Sequence, residues 1–354
     1  SLTMLGLMRR NRRPTPLRHL VSLLHRELPT LPVGPLAVQP PSHHIFSAGT
    51  YTPVFARLAA ETALKACPAE FRRDFRLYIH VDGVASSVRS GLLAWLREIP
   101  GVEVTYGMFG ILPFDRIPGK WHQVMVNDVV ARFQGEKHLA FIDADLFVQD
   151  DSWWQQCRQH LDDDVYALTV GLRPKSTLTL GEQHYVAMKT NLFTLNTQAH
   201  LELNRQRYTK DNRALELLRR EFPKGQLNVN AVDSLIGGSL RAQAHGYKVL
   251  DVEAEVPHCH IGGFSHLKAG KFKDYQNPER KDSVRGLLGQ ARFLPKVIAY
   301  FDHRGWGSFV EAGYRRDVGQ MLAYIDSIAP LREMMLSLPM TPRETMFETI
   351  VTSL

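Results

Sequence analysis

The stretch HLAFIDADLFVQDD, residues 138–151, places two carboxylates at the end of the most apolar strand that the sequence predicts. Residues 139–142 are uncharged and predict a buried strand, and apolar residues resume at 146–148. A buried carboxylate without a partner is costly, and two neighbouring carboxylates repel each other. We therefore expect a positive charge between or beside Asp143 and Asp145.

Strand and helix patterns alternate on the amino-terminal side of this stretch. HHIFSAG, FRLYIHVDG and VEVTYGMF read as strands, and TPVFARLAAETALKAC, SVRSGLLAWLREI and WHQVMVNDVVARFQG read as helices. The order βαβαβαβ predicts an α/β fold with a mostly parallel sheet and helices on both faces. Ligands of such sheets bind beyond the carboxyl ends of the strands, where Asp82, Asp143 and Asp145 are expected.

Three segments divide the chain by composition and pattern. Residues 1–42 are basic, with one amphipathic helix at 17–28 and a proline-rich linker after it. Residues 43–275 carry the alternating strands and helices, and residues 276–354 form a helical C-terminal region. The helix at 17–28 either packs on the main domain or lies on an anionic membrane surface, since its polar face is basic.

Composition excludes several classes of protein. The 354 residues are 44% hydrophobic and 22% charged, an ordinary globular balance. A net charge of +7 is compatible with an anionic small molecule, an anionic membrane surface or nucleic acid, and does not choose among them. The sequence contains no basic-aromatic patch of a known nucleic-acid-binding module, so a nucleic-acid partner is not expected. Three scattered cysteines favour a reducing compartment, hence a cytoplasmic location. No apolar run approaches the ~20 residues of a transmembrane helix, and the leading residues do not form a secretory signal.

Asp143-Ala144-Asp145 is a DxD motif at a strand end. Hard oxygen ligands at this spacing suit Mn²⁺ or Mg²⁺ held together with substrate phosphates. Such a cation would relieve the repulsion between the two acids and neutralise charge on a diphosphate leaving group. The alternative is a surface turn with two solvated acids.

With this motif after the fourth predicted strand, residues 43–266 resemble a GT-A glycosyltransferase. The resemblance implies a Rossmann-like GT-A sheet, with a nucleotide-binding half at about 43–150 and an acceptor half at about 151–275. It implies that FSAGTY binds the nucleotide, that Asp82 contacts the uracil or ribose, and that the DxD motif carries the metal and the diphosphate. The donor-binding residues implied by it are Ser47, Ala48, Gly49, Tyr51, Asp82, Asp143, Ala144 and Asp145.

Asp233 is the candidate catalytic residue. VDSLIGGSLRAQAHGYKV resembles a helix of inverting GT-A enzymes, although Val232 replaces the first acid of the usual pair. In that role Asp233 would deprotonate the acceptor hydroxyl as a general base. An aspartate in the first turn also suits the helix dipole with no catalytic role. The choice between inversion, which we favour slightly, and retention stays open.

The segment VPHCHIGGFSHLKAGKFK, 256–273, is similar to the histidine-glycine-lysine pattern of retaining family members. The resemblance implies that His260 binds the metal and that Lys268 contacts the diphosphate. Strand alternation would put His258 on the same face as His260 and Cys259 on the other. A zinc site from these three neighbours is a poor alternative, because neighbouring strand residues do not converge on one tetrahedral ion.

Two further sets of residues are weaker candidates. Lys120 and Asn127 lie on the helix before the DxD strand, where many relatives of this fold have a basic residue and an asparagine near the nucleotide and sugar. Trp153 and Trp154 follow the DxD strand, and each is either a sugar platform or, more commonly, part of the core.

The predicted function is that of a metal-dependent, hexosyltransferase-type enzyme (EC 2.4). It would move a sugar from a nucleotide diphosphate donor, a UDP-sugar being favoured, to a hydroxyl of a glycan or lipid-linked glycan. A role in bacterial surface polysaccharide synthesis, at the inner face of the cell membrane, is the expected setting.

Three alternatives remain. A haloacid-dehalogenase-like phosphotransferase would use the first aspartate of the DxD as nucleophile, but that family wants Thr or Val where this chain has Leu146. A sugar-nucleotide pyrophosphorylase needs a Gly-rich loop with an arginine near the first strand, which FSAGTYTPVF does not supply. A noncatalytic scaffold on a glycosyltransferase fold is the third.

Overall fold

A computed structural model describes most of the chain from residue 42 onward, and the statements below concern its described residues. These are residues 42–48, 53–71, 75–81, 86–106, 126, 129–130, 133–174, 178–180, 182–204, 218–222, 235–262, 269–310 and 312–354. The amphipathic segment 17–28 lies outside them.

The centre of the structure is a seven-stranded sheet with strand order β10-β6-β9-β4-β1-β2-β3. Pairing is parallel from β3 through β2 and β1 to β4, and parallel again between β10 and β6, while β9 runs antiparallel to β4 and β6. The prediction of a mostly parallel α/β sheet is confirmed. The strands of this sheet are β1 Ser42–Ala48, β2 Phe75–Val81, β3 Val102–Tyr106, β4 His138–Asp143, β6 Val165–Thr169, β9 Leu192–Asn196 and β10 Lys248–Asp251.

Strand register brings the carboxyl ends of several strands to one edge of the sheet. Ala48 lies opposite Val81, Val81 lies opposite Tyr106, and Ser47 lies opposite Asp143. These strands are parallel, so their carboxyl ends share one edge, which is where α/β sheets bind ligands. The predicted nucleotide loop and the DxD motif therefore start side by side.

Two short ribbons flank the main sheet. β5, Leu146–Val148, pairs antiparallel with β11, His258–His260, so that His260 lies opposite Leu146. β7, Leu178–Leu180, pairs antiparallel with β8, Gln183–Tyr185. The first ribbon matters for the site, because it joins the segment after the DxD motif to the histidine segment.

Helices pack on the sheet by their apolar faces. In α1, Pro53–Ala66, buried residues recur at helical spacing, as Phe55, Leu58 and Ala59 show. This helix packs on β1, β2, β4 and β5. The other helices of this part are α2 Ser86–Arg97, α3 Ser152–His160, α4 Thr197–Leu203 and α5 Ile236–Ala244.

The helical C-terminal extension expected from the sequence is present. It consists of α6 Lys281–His303, α7 Ala312–Asp326, α8 Ala329–Ser337 and α9 Pro342–Thr352. Its aromatic residues enter the core of the α/β part. The ring centroids of Phe301 and Phe55 are 4.8 Å apart in an edge-to-face contact, and those of Phe347 and Phe147 are 6.0 Å apart. The division at residues 42 and 275 stays a prediction.

One buried ion pair joins two of these helices. Glu344 opens α9 in a capping box with Thr341, and its fully buried carboxylate lies 2.6 Å from the guanidinium of Arg292 on α6. Because a charge in such a place requires its partner, this pair fixes α9 against α6. Within the described part of the chain, no helix is both long and apolar enough to cross a membrane.

Candidate metal centre

Asp143, Asp145 and His260 converge on one point, although more than a hundred residues separate the histidine from the acids. One ligand atom from each lies within 4.8 Å of the other two. Nε2 of His260 is 3.3 Å from Oδ1 of Asp145 and 3.7 Å from Oδ2 of Asp143. The structure thus brings the three predicted metal ligands together.

Backbone hydrogen bonds hold the acidic turn in place. Asp143 ends β4, and its N–H donates to the carbonyl of Asn191 at 2.7 Å. Ala144 is buried beneath the turn, which leaves the two flanking carboxylates on the open side. The carbonyl of Asp145 accepts a hydrogen bond from the N–H of Ile261 at 2.9 Å. That bond continues the β5–β11 ribbon and carries His260 to the acids.

Gly262 completes the cradle of the histidine. Its φ is +51°, a conformation that L side chains rarely adopt, and its N–H donates to Oδ2 of Asp145 at 2.8 Å. A Cβ placed there would lie 3.0 Å from Cε1 of His260. Both the backbone conformation and the close approach of the imidazole therefore favour glycine at this position.

The electrostatics of the centre favour a cation. Burial, together with the charge of Asp145, raises the pKa of Asp143 to about 8, and the charges of His260 and Arg173 oppose that rise only in part. Burial alone would lower the pKa of His260, but its hydrogen bond to Asp145 and the charges of both acids outweigh it and raise that pKa. Both shifts have the direction expected where two carboxylates crowd together, an arrangement that a bound cation would relieve.

Two carboxylates and one imidazole fit a divalent cation such as Mn²⁺ or Mg²⁺. The side chains of Asp143, Asp145 and His260 are 29%, 17% and 26% exposed, so the centre is in contact with solvent. These three side chains are therefore the residues that could hold a metal ion.

Two arginines near the centre were not predicted from the sequence. Arg173, after β6, acts on the pKa of Asp143 through its charge. Arg343, in the first turn of α9, donates from Nη1 to the carbonyl of Ile261 at 2.9 Å, and its charge acts on the pKa of His260. The capping-box pattern at 341–344 signals a helix start in the sequence, but no local pattern links that helix to residue 261.

Neighbours of His260 do not join the cluster. Nδ1 of His258 donates to the carbonyl of Val256 at 2.8 Å, and burial lowers the pKa of His258. Cys259 lies on the opposite face, as strand alternation predicts, where it is buried and its thiol contacts the carbonyl of Arg343 at 3.5 Å. The zinc alternative is therefore not supported, since the thiol points away from both histidines.

Trp153 and Trp154 belong to the core. Both are buried and belong to the main apolar cluster of the described chain. Their rings are not available to stack on a sugar, and of the two interpretations the structure supports packing.

Other predicted site residues are placed only in part. Ser47 and Ala48 end β1 at the edge that carries the acids, and nothing is described of their side chains. Outside the described residues lie Gly49, Tyr51, Asp82, Lys120, Asn127, Asp233 and Lys268.

Asn191 was also missed by the sequence analysis. It precedes β9, and its side-chain Nδ2 lies 3.0 Å from Nδ1 of His260. An asparagine before an apolar strand is a common turn feature. It acquires meaning only when β9 pairs antiparallel to β4 and sets it beside the acids.

Comparisons with solved structures concern the fold as a whole. Glycosyltransferases are among the solved structures that this chain resembles, at 9–15% sequence identity and with TM-scores of 0.34–0.39. No protein-family model matches the chain, and the search of curated proteins found no match.

Three of these structures illustrate how much of each chain the matches cover. WbbM, a bifunctional glycosyltransferase in its apo form, is 11% identical with a TM-score of 0.39; the match covers 63% of this chain and only 40% of WbbM. The mannosyltransferase PcManGT from Pyrobaculum calidifontis, solved with GDP-Man and Mn²⁺, is 12% identical with a TM-score of 0.39 and coverage of 95% and 93%. The galactosyltransferase LgtC, solved with donor and acceptor sugar analogs, is 13% identical with a TM-score of 0.36 and coverage of 59% and 73%.

Proposed function

We propose that this chain is a metal-dependent glycosyltransferase that moves a sugar from a nucleotide diphosphate to a hydroxyl of a glycan acceptor. One observation carries the proposal: Asp143, Asp145 and His260 converge at the carboxyl edge of a parallel sheet, beside the end of β1. An edge of this kind binds ligands, and an acid pair with an imidazole is suited to a cation that holds a diphosphate.

In this proposal the three side chains hold Mn²⁺ or Mg²⁺. The bound cation would supply neutralisation of the charge on the departing nucleotide diphosphate. The protein's own contribution is to hold the two carboxylates in place. It does so through backbone hydrogen bonds to Asp143 and Asp145 and through the N–H of Gly262, which donates to the carboxylate of Asp145. Arg343 and Arg173 add fixed positive charge from two further segments of the chain, which favours an anionic ligand.

The donor and acceptor assignments follow from the resemblance and are part of the proposal. Residues 47–51 and Asp82 would bind the nucleoside of a UDP-sugar, with Lys120, Asn127 and Lys268 near the sugar and diphosphate. Asp233 would accept the proton of the acceptor hydroxyl. The register of Ser47 with Asp143 supports the first assignment, because the loop after β1 then starts at the acids.

The cellular setting is a separate part of the proposal. The acceptor would be a glycan or a lipid-linked glycan of a bacterial surface polysaccharide. The enzyme would be cytoplasmic, at the inner face of the membrane through the basic helix at 17–28. Deleting residues 1–30 should lower binding to anionic liposomes, and unchanged binding would refute the membrane role.

The main experiment is slow hydrolysis of nucleotide sugars in the presence of Mn²⁺, after a thermal-shift panel has found the donor that stabilises the protein. Asp145→Ala should abolish hydrolysis, whereas Asp282→Ala, at an acid whose side chain is 98% exposed, should leave it unchanged. If no donor is turned over or bound with Mn²⁺, the scaffold alternative holds. Turnover of a phosphate monoester, and not of a nucleotide sugar, would instead support a phosphotransferase.

A further inference from the structure

Asn191 touches two of the three residues of the metal centre. Its backbone carbonyl accepts the N–H of Asp143 at 2.7 Å, and its side-chain amide lies 3.0 Å from Nδ1 of His260. The imidazole is thus held between an amide on its Nδ1 side and two carboxylates on its Nε2 side. A contact on each ring nitrogen means that the proton on one nitrogen determines what the other can do.

A histidine binds a metal through an unprotonated nitrogen. In this centre the nitrogen that faces the acids is Nε2, so the ring must carry its proton on Nδ1 when a cation is bound. Nδ1–H then needs an acceptor, and the side chain within reach of it is the amide of Asn191. An amide can present either its oxygen or its NH₂ group by rotating half a turn, and the two ends are assigned from the hydrogen bonds that they make.

We infer that Asn191 is a positioning residue that accepts the Nδ1–H of His260 through Oδ1 and thereby directs the lone pair of Nε2 to the cation. This inference rests on the metal role proposed for Asp143, Asp145 and His260. In the neutral, cation-free centre the amide can instead turn its NH₂ group to Nδ1, so that Nε2–H donates to Asp145. One neutral side chain thereby serves both states of the ring.

The test measures cation binding rather than sugar transfer. Removing a partner that orients a metal-binding histidine commonly weakens metal affinity by about 10–100-fold. We expect this loss for Asn191→Leu, which has a similar volume but no acceptor, when free Mn²⁺ is followed by its EPR signal. Asn191→Asp, which keeps an acceptor at Nδ1, should retain the affinity. Gln198→Leu serves as the control, because the exposed amide of Gln198 pairs with Glu202 on α4, and α4 follows the end of β9 opposite to Asn191.

Nitrogen-15 NMR of histidine-labelled protein reads the tautomer directly. The chain has 15 histidines, so His260→Gln identifies the signal by its absence. With diamagnetic Mg²⁺ bound, His260 should carry its proton on Nδ1 in the wild type. At the same Mg²⁺ concentration, Asn191→Leu should leave a larger share of the molecules in the form with the proton on Nε2. A merely structural role would change stability and leave the tautomer as it is.

Each outcome decides a separate point. Wild-type affinity in Asn191→Leu would overturn the role of Asn191 alone. A proton on Nε2 in the Mg²⁺-bound protein would overturn that role and also the binding of the cation by His260. Absence of Mn²⁺ binding by the wild type would overturn both this role and the metal centre. If the wild-type protein binds Mn²⁺ but transfers no sugar, the proposed function would be contradicted and the positioning role of Asn191 would remain.

Discussion

Asp143→Asn should stabilise the protein when no cation is bound. The ligand atoms of Asp143 and Asp145 lie within 4.8 Å of each other, and two unit charges at that distance repel by about 3.5 kcal/mol at an effective dielectric constant of about 20. The side chain of Asp143 is 29% exposed and His260 lies 3.7 Å away, so both solvent and the imidazole reduce this repulsion. We expect a net gain in the free energy of unfolding of about 1–3 kcal/mol.

The gain should depend on pH in a defined direction. Burial and the charge of Asp145 raise the pKa of Asp143 from 3.8 to about 8, so the native protein keeps a proton that the unfolded chain releases. The native state then binds more protons than the unfolded state between about pH 4 and pH 8, and stability falls as the pH rises through this window. The advantage of Asp143→Asn should therefore be largest near pH 8 and smaller near pH 5.

Urea denaturation in EDTA, near pH 5 and near pH 8, measures both effects through the transition midpoint. Glu255→Gln, at an exposed acid in the turn between β10 and β11, is the matched control and should shift neither midpoint. Adding Mn²⁺ at about 100 times its Kd should stabilise the wild type by about 2.7 kcal/mol and Asp143→Asn far less. If Asp143→Asn were no more stable than the wild type near pH 8 in EDTA, the repulsion inferred for the acid pair would be wrong.

Three further substitutions probe the centre and buried polar contacts elsewhere in the fold. Arg292→Leu leaves the buried charge of Glu344 without its main partner and should lower the free energy of unfolding by about 3 kcal/mol in urea denaturation. Gly262→Ala should cost about 1–2 kcal/mol because of its φ of +51°, and should weaken Mn²⁺ binding in the EPR assay by displacing His260. Tyr166→Phe removes a buried hydroxyl shared by two polar side chains and should cost about 1–3 kcal/mol in the same denaturation assay.

Each of these has an outcome that contradicts it. Adding Glu344→Gln to Arg292→Leu should recover part of the loss, and a double variant as unstable as the single one would show that the buried charge is not the cause. Unchanged Mn²⁺ affinity in Gly262→Ala would mean that His260 tolerates the added methyl group. A neutral Tyr166→Phe would mean that His200 and Asn204 find other partners for the atoms that now meet the hydroxyl.

Local sequence patterns correctly predicted several elements of the fold. The run 139–142 lies in a buried strand, the described residues of 42–106 alternate between strand and helix, and the described chain beyond 276 is largely helical. Each of these depends on apolar spacing within a short window, because a strand repeats every two residues and a helix every 3.6. The parallel sheet follows from the order of the elements, since parallel neighbours need a crossover between them.

What the sequence by itself determined about the candidate centre is its acidic half: Asp143 and Asp145 sit on either side of one alanine, and a strand end exposes them together. His260 was predicted from the resemblance, and its approach to the acids is a property of the β5–β11 ribbon. Asn191 and Arg343 were decided by the tertiary structure alone. They reach the site through an antiparallel strand and through a helix fixed by a buried ion pair. Such contacts join residues far apart in the chain, and no local pattern encodes them because they arise only when strand register and helix packing are set together.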